Sequence, residues 1–438
     1  MQNKGTERPY RVTVYPGIVR GPVTAPPSKS LCHRAWILAA LARGKSRLVH
    51  MGASEDLQGT EAIVRQFGAR IWRVDGEIWV EGIAGQAETE REYGCLDCGE
   101  SGSSLRFLLP VAAALGISAE FVGQGRLPQR PLAPYFDIFE KQGIAWQAGP
   151  DGLPLRIRGR LKPGRYEVEA GQSSQFVSGL LMALPLLAEA SELHLKGPGV
   201  SRPYVSMTRS MMERFGLSVQ ELGPGAWRIP GGQGYQAAEY RAEGDYSQAA
   251  FWIGVGMLGE GIRIQNLPED SRQGDAALLK SLRPQGLNLR WERDELYTMP
   301  GRLTGGRVDL TDAPDLAPVL AVLAMRGRGM TELTGAAHLR YKESDRLAAL
   351  TGQLSRLGAV LEETADGLRI NGTASGRGGG EVLACGDHRM AQALALAAVS
   401  AKEPVTIHGA QCVAKSWPSF WDELEAAGVQ IKREWEDE

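Results

Sequence analysis

Arg340-Tyr341-Lys342-Glu343-Ser344-Asp345-Arg346 packs five charged side chains into seven residues, between a turn-like approach (Leu333 to His338) and an apolar helical stretch, Leu347 to Leu357. Such runs are often solvated helix faces, but loop-to-helix junctions are also where binding residues concentrate. Further basic residues stand at or near helix starts or in loops: Lys29, Arg34, Arg106, Arg130, Arg202, Arg389 and Lys415. Guanidinium offers a planar fork and ammonium a compact charge, so a mixed set suits a ligand carrying both phosphate and carboxylate. Asp315 and Glu343 are the acids of interest, because a carboxylate among many cations is held ionised as a base or shares a proton relay. Taken singly, each of these residues is more simply a surface or structural ion pair.

The elements that must position these residues repeat. A Pro-rich extended stretch, Gly21 to Pro27, gives way to Ser28-Lys29-Ser30 and helical character over Cys32 to Leu41. Similar starts recur at Ser103, where Pro110 kinks the helix, and at Ser174, Asp245-Tyr246-Ser247, Pro314-Asp315 and Asp387-His388. With Ser30, Ser103, Ser174, Ser247, Asp315 and His388 as markers, the intervals are 73, 71, 73, 68 and 73 residues, a sixfold internal repeat. β-Rich runs such as Arg70 to Val80, Leu155 to Val168 and Val405 to Ile407 make the repeating unit an α/β module. The period is too long for the common solenoids, so a few modules sharing one core per domain are expected. Each marker lies at or beside a helix N-terminus, where unsatisfied N–H groups and the macrodipole attract anions. A single Ser or Asp there is usually only a cap. Six on one period, accompanied by basic residues, point to anion binding.

Length and composition set the bounds. At 438 residues, 43% hydrophobic and 23% charged, the chain has the size of two domains with full cores. A net charge of −2 gives no overall pull toward nucleic acid or anionic membrane, so anion binding must come from local clusters. Met1 to Arg11 is polar and has no apolar segment of a signal peptide. The longest apolar run, Phe176 to Ala188, is broken by Ser178, Gly179 and Pro185 and reads as a buried helix of a soluble protein. The five cysteines, Cys32, Cys95, Cys98, Cys385 and Cys412, suit reduced thiols in a cytoplasm, with Cys95-Leu-Asp-Cys98 read as a strand entering a turn. The six histidines never take the spacing of a helical metal pair, so no dedicated metal site is expected. Gly44-Lys45-Ser46 looks like the end of a phosphate loop, but Ala39 stands where its first Gly belongs and the segment ends a helix.

Several segments, in this order and nearly end to end, resemble the 5-enolpyruvylshikimate-3-phosphate synthase family, the 3-phosphoshikimate 1-carboxyvinyltransferases. They are Pro27-Ser28-Lys29-Ser30 with Arg34, Gly99-Glu100-Ser101-Gly102-Ser103-Ser104-Leu105-Arg106, Leu127-Pro128-Gln129-Arg130-Pro131 and Ser173-Ser174-Gln175-Phe176. Ser201-Arg202-Pro203-Tyr204, Glu243-Gly244-Asp245 and Pro314-Asp315 follow, then Lys342-Glu343-Ser344-Asp345-Arg346, Asp387-His388-Arg389-Met390 and Lys415-Ser416-Trp417-Pro418. The resemblance implies an α/β fold of two similar domains, each of three βαβαββ units (an inside-out α/β barrel), with the active site in the interdomain cleft. The first domain would comprise residues 1–26 and 245–438 and the second residues 27–244, with crossovers near Pro27 and Gly244. It further implies a cytoplasmic monomer with no metal or organic cofactor and no nucleic-acid or membrane partner. Such an enzyme moves the enolpyruvyl group of phosphoenolpyruvate to the 5-hydroxyl of shikimate 3-phosphate, releasing phosphate by addition and elimination through a tetrahedral intermediate.

By matched position, the resemblance gives shikimate 3-phosphate to Ser30, Arg34, Ser173, Ser174, Gln175, Ser201, Asp315 and Lys342. Phosphoenolpyruvate falls to Lys29, Gly102, Arg130, Gln175, Arg346, Arg389 and Lys415. Asp315 and Glu343 resemble the proton carriers, with Lys29 supporting the leaving phosphate. Gly102 matches the glycine against which the inhibitor glyphosate packs. Two positions depart from a common form of the motif: Glu100 and His338 stand where Asn occurs. Glu100 is expected to point away or pair with an Arg, and His338 still donates a hydrogen bond. The alternatives are a UDP-N-acetylglucosamine enolpyruvyl transferase, which uses a Cys in a mobile loop and lacks the Lys-Glu-Ser-Asp-Arg arrangement, and a non-catalytic anion- or RNA-binding module, against which the near-neutral charge argues.

Overall fold

The computed structural model describes residues 8–84, 92–169, 173–197, 202–373 and 378–436. The chain divides into two compact units, a continuous one of Pro27–Glu243 and a discontinuous one of Met1–Pro26 with Gly244–Glu438. The fold is α/β, and each unit contains three four-stranded sheets. Every sheet has one parallel and two antiparallel pairings, which is the pattern a βαβαββ module produces.

Two modules in the discontinuous unit are completed by the N-terminal segment. Tyr10–Val14 pairs antiparallel with both Val405–His408 and Ile431–Trp435, and Pro22–Thr24 lies parallel to Arg263–Gln265. In the continuous unit the last strand, Glu239–Arg241, returns to lie parallel to Lys45–Val49, where Tyr240 pairs with Leu48. That strand follows directly on Gly44, so the Gly-Lys-Ser segment joins a helix end to a strand and cradles no phosphate.

Each module contributes one helix that is apolar almost all round and one amphipathic helix. The apolar set is Lys29–Leu41, Gly102–Leu115, Ser174–Ala183, Tyr246–Leu258, Ala317–Met325 and His388–Val399. All nine residues of Ala317–Met325 and all twelve of His388–Val399 are buried, as a helix surrounded by other elements requires. Arg346–Arg356 instead buries Arg346, Leu347, Leu350, Gln353 and Leu354, a single stripe. Phe176 to Ala188 forms the Ser174–Ala183 helix and a following 3-10 turn, Leu184–Leu186.

The capping residues are not the periodic markers themselves but lie one or two residues upstream. Ser101, Ser173, Asp245 and Asp387 accept the backbone N–H bonds of Ser104, Gln175, Gln248 and Arg389, at 3.1, 3.2, 3.0 and 2.9 Å. Ser103, Ser174, Ser247 and His388 therefore occupy the first helical turns with side chains not used for capping. The repeat thus marks six places where polar side chains and backbone N–H groups converge at the start of a buried helix. All five cysteines are free, and Cys98 follows the Glu92–Asp97 strand. Among the described residues no helix is long and apolar enough to cross a membrane, and no group of three or more His, Cys, Asp or Glu could hold a metal ion.

Candidate active site

In the discontinuous unit the polar residues gather around one guanidinium. Asp345 caps the Arg346–Arg356 helix, accepting from Ala348 N at 3.1 Å. Arg346, 1% exposed, is thereby fixed at the first helical position. Its Nε donates to Asp387 Oδ2 at 2.8 Å, and its Nη2 to Asp387 Oδ1 at 3.2 Å and Glu343 Oε2 at 3.0 Å. Its Nη1 donates to Asp315 Oδ1 at 2.7 Å. Asp387, fully buried, also accepts from Ser344 Oγ at 3.1 Å, so it joins the Arg346 helix to the start of His388–Val399. Arg340 braces the same junction through Glu363, Asp345 and the Thr364 carbonyl.

Asp315 collects three cations: Arg346, Lys342 with Nζ at 3.5 Å, and Arg389 with Nη2 at 3.9 Å. Burial would raise the Asp315 pKa, but Lys342, Arg346 and Arg389 outweigh it and hold the carboxyl well below the usual range. Burial likewise opposes the charge on Arg346, and Asp387, Glu343 and Asp315 more than compensate, raising its pKa. Burial and the Lys342 charge bring His338 down to about 4, so it is a neutral hydrogen-bonding group at pH 7. Arg389 differs from Arg346: its Nε and Nη1 are buried without a hydrogen-bond partner. A buried guanidinium with two unanswered nitrogens could accommodate an external anion.

Lys415 ends a 3-10 turn, Ala410–Lys415, and is 5% exposed. The residue after it, Ser416, accepts from Gln248 Nε2 at 2.8 Å, and Gln248 in turn accepts from Gln392 Nε2 at 2.5 Å. Trp417 and Phe420 pack edge-on against Trp252 and Phe251, which anchors this turn to the Tyr246–Leu258 helix.

In the continuous unit Arg34 meets neutral acceptors. Arg34, 2% exposed, donates to Thr208 Oγ1 at 2.7 Å, Ser30 O at 2.6 Å, and Ser178 Oγ and Tyr204 O at 3.2 Å. Burial lowers its pKa to about 10, still far above neutrality. Arg106 donates to Gln175 Oε1 at 2.8 Å and Pro131 O at 3.0 Å, and Gln175 Nε2 donates to Ser103 Oγ at 3.0 Å. A Cβ on Gly102 would lie 2.9 Å from Arg130 Nη1 and 3.5 Å from Gln175 Oε1, so Gly102, Arg106, Arg130 and Gln175 converge. Lys29 is the exception, with Nζ 2.7 Å from Asp56 Oδ2. That pair is backed by His33 and Thr60 at 2.7 Å, and Thr60 and Ser104 at 2.7 Å.

The structure therefore assembles Asp315, Lys342, Glu343, Arg346 and Arg389 in one unit, and Gly102, Arg130 and Gln175 in the other. Lys29, Ser30, Arg34, Ser173 and Ser174 lie in the continuous unit at buried-helix starts or, for Arg34, one turn inside. Ser201 lies outside the described residues. The Glu100 carboxyl carbon lies 2.5 Å from where a Cβ on Gly125 would be, against the loop leading to Arg130. Sequence reasoning missed Asp56 as the partner of Lys29 and Asp387 as the partner of Arg346. Only Asp387 carried a signal, as a helix start on the period.

The EPSP synthase (3-phosphoshikimate 1-carboxyvinyltransferase) family model matches residues 15–424. The chain belongs to this family. It is 40% identical to the 3-phosphoshikimate 1-carboxyvinyltransferase of Clostridium kluyveri, over 97% of this chain and 98% of that protein. The enzyme of the same name from Clostridium perfringens strain SM101 is 38% identical over 97% of this chain and 100% of its own length. Among solved structures, EPSP synthase from Acinetobacter baumannii superposes with a TM-score of 0.79 at 27% identity, covering 97% of this chain and 100% of that one. The enolpyruvyl transferase NikO of Streptomyces tendae, at 19% identity and a TM-score of 0.78 over 98% of this chain, shares the fold. As a family member the chain is an enolpyruvyl transferase of the shikimate pathway.

Removing the Asp387 charge tests the buried cluster. Asp387→Asn is expected to cost about 3 kcal/mol, the low end for breaking a buried pair because Asp315 and Glu343 still bond Arg346. A urea unfolding midpoint equal to the parent's would contradict this.

Proposed function

We propose that the two sets of residues act on one pair of substrates, and that enolpyruvyl transfer from phosphoenolpyruvate to shikimate 3-phosphate uses them as follows. The observation that carries the reading is Arg389, a buried cation with two unbonded nitrogens beside an ionised carboxylate. Arg389, Arg346, Lys415, Arg130, Lys29, Gln175 and Gly102 receive phosphoenolpyruvate. Ser30, Arg34, Ser173, Ser174, Gln175, Ser201, Lys342 and Asp315 receive shikimate 3-phosphate.

Arg346 is engaged by Asp315, Glu343 and Asp387. Asp387 is enclosed and bidentate, so it stays. An arriving carboxylate or phosphate exchanges with Asp315 or Glu343 on the guanidinium and releases an acid close to the reacting atoms. Asp315 enters ionised, because Lys342, Arg346 and Arg389 hold it so, and receives the proton of the attacking 5-hydroxyl. Glu343, which takes a proton from water once the exchange frees it from Arg346, passes that proton to the methylene carbon of the enolpyruvyl group. The hydroxyl oxygen bonds to the carbon bearing phosphate, giving a tetrahedral intermediate. Elimination then returns a methyl proton to the Glu343 carboxylate and expels phosphate, which takes the proton held by Asp315 and whose growing charge Lys29 supports.

Phosphate release from the parent protein should require phosphoenolpyruvate and shikimate 3-phosphate together. Glu343→Gln, which keeps the shape and loses the proton, should lower kcat by roughly a hundredfold or more. Release with UDP-N-acetylglucosamine but not with shikimate 3-phosphate would overturn the assignment.

Glyphosate is the proposed inhibitor at the phosphoenolpyruvate subsite, where the bare face of Gly102 leaves room beside Arg130. Steady-state kinetics should show competition with phosphoenolpyruvate at millimolar glyphosate, weakened in Gly102→Ala because the new Cβ meets Arg130 Nη1 at 2.9 Å. No competition in the parent protein would remove this proposal.

A further inference from the structure

Three helix starts of the continuous unit meet at one hydroxyl. Lys29 opens the Lys29–Leu41 helix, Asp56 stands in the first turn of Glu55–Gln66, and Gly102 opens Gly102–Leu115. Thr60 lies one turn beyond Asp56, His33 one turn beyond Lys29 and Ser104 two residues after Gly102, and all three side chains are fully buried. Thr60 Oγ1 lies 2.7 Å from His33 Nδ1 and 2.7 Å from Ser104 Oγ, and Ser104 Oγ donates to the Asp56 carbonyl at 3.3 Å. The side chain of that same Asp56 holds Lys29 Nζ at 2.7 Å. Thr60 and His33 belong to none of the substrate assignments above.

Hydrogen counting gives this chain a direction. A carbonyl only accepts, so Ser104 spends its one hydroxyl hydrogen on Asp56 O. Thr60 is then the donor to Ser104 and spends its own hydrogen there. His33 Nδ1 is left as the donor to Thr60, which selects the Nδ1–H tautomer and makes Nε2 a bare lone pair. Among the described residues His33 Nε2 is buried with no hydrogen-bond partner, so nothing there holds the other tautomer. Burial, against the pull of Asp56 and with the Lys29 and Arg34 charges adding to it, brings His33 down to about 3, and the ring is neutral at pH 7. A neutral ring does not compete with Lys29 for the Asp56 carboxyl.

We propose that Thr60 is a positioning residue for the leaving phosphate: the chain from His33 through Thr60 and Ser104 to the Asp56 carbonyl locks the turn that carries Asp56, and with it Lys29, against the start of the Gly102–Leu115 helix. The inference rests on the assignment of Lys29 to the leaving phosphate. A cation that answers charge growing in the transition state acts through its exact placement, so slack in Lys29 lowers turnover more than it lowers ground-state affinity, which the other phosphoenolpyruvate residues share.

The test measures phosphate release from phosphoenolpyruvate and shikimate 3-phosphate by Thr60→Val, which keeps the shape and loses the hydroxyl, and by Thr60→Ser, which restores it. Thr60→Val, melting as a folded protein, should lower kcat roughly tenfold, the usual worth of one buried hydrogen bond, with KM for phosphoenolpyruvate within about threefold of the parent's. Thr60→Ser should recover kcat to within about threefold of the parent. His33→Asn, whose amide N–H stands in for Nδ1–H, should keep parent-like turnover, and His33→Leu should not. In the parent labelled with nitrogen-15 at histidine, the resonance that His33→Asn removes should be that of a neutral Nδ1–H ring, unchanged from about pH 6 to about pH 8. A Thr60→Val enzyme within about twofold of the parent, a Thr60→Ser enzyme as slow as Thr60→Val, or a His33 ring found as Nε2–H or imidazolium would overturn the proposal. If Thr60→Val does not fold, the two His33 variants and the parent's tautomer decide it. A parent that releases no phosphate from the substrate pair brings down the functional reading and this inference with it, whereas an active parent with unimpaired Thr60→Val removes the inference alone.

Discussion

A guanidinium removed from water must be answered by charge, and Arg346 is answered by three carboxylates. Withdrawing two unit charges into a low-dielectric interior costs several kcal/mol per ion even after relaxation, so such a cluster is poor evidence of stability for its own sake. Its value is geometric. Asp387 grips two nitrogens from a fully buried position and simultaneously caps the His388–Val399 helix, so one side chain fixes both the orientation of Arg346 and the backbone that presents Arg389. Asp315 and Glu343 occupy the remaining edge. In the proposed reaction the same cation holds both acids until an arriving anion takes a place they vacate.

The two units solve the burial of charge differently. In the continuous unit Arg34 is satisfied by hydroxyls and carbonyls, all neutral. Lys29, by contrast, pairs with Asp56. In the discontinuous unit the cations face carboxylates. A reaction that binds two phosphorylated substrates and also moves protons calls for both kinds of environment. Neutral partners leave electrostatic attraction at full strength, whereas carboxylates trade some of it for acid–base capacity.

The sixfold period, the α/β modules and the buried helices were legible because each rests on local signals: cap chemistry, apolar continuity and short β-rich runs. The charge run at Arg340 to Arg346 was legible as a candidate for the same reason. What the sequence hid was pairing at a distance. Lys29 meets Asp56 across 27 residues, and Arg34 meets Thr208 across 174, and nothing near either residue announces its partner. Asp387 was marked as a helix start, but its grip on Arg346, 41 residues earlier, depends on two modules packing in one unit. Cap residues were also displaced by one or two positions from the periodic markers, because a Ser in the first turn and a Ser at the cap look alike in sequence. Glu100 needed coordinates too, since only the absence of a side chain on Gly125 lets its carboxyl rest against that loop.

The central claim is that the Arg346 fork, and not its charge alone, organises both substrate binding and the two acids. Arg346→Lys retains the charge and removes the fork, so phosphate release from phosphoenolpyruvate and shikimate 3-phosphate by the folded variant is the most direct measurement. A loss of roughly a hundredfold or more in kcat/KM for phosphoenolpyruvate is predicted, since a single ammonium cannot hold Asp387, Asp315 and Glu343 in one plane. A variant that melts like the parent and turns over within a few-fold of it would contradict the account.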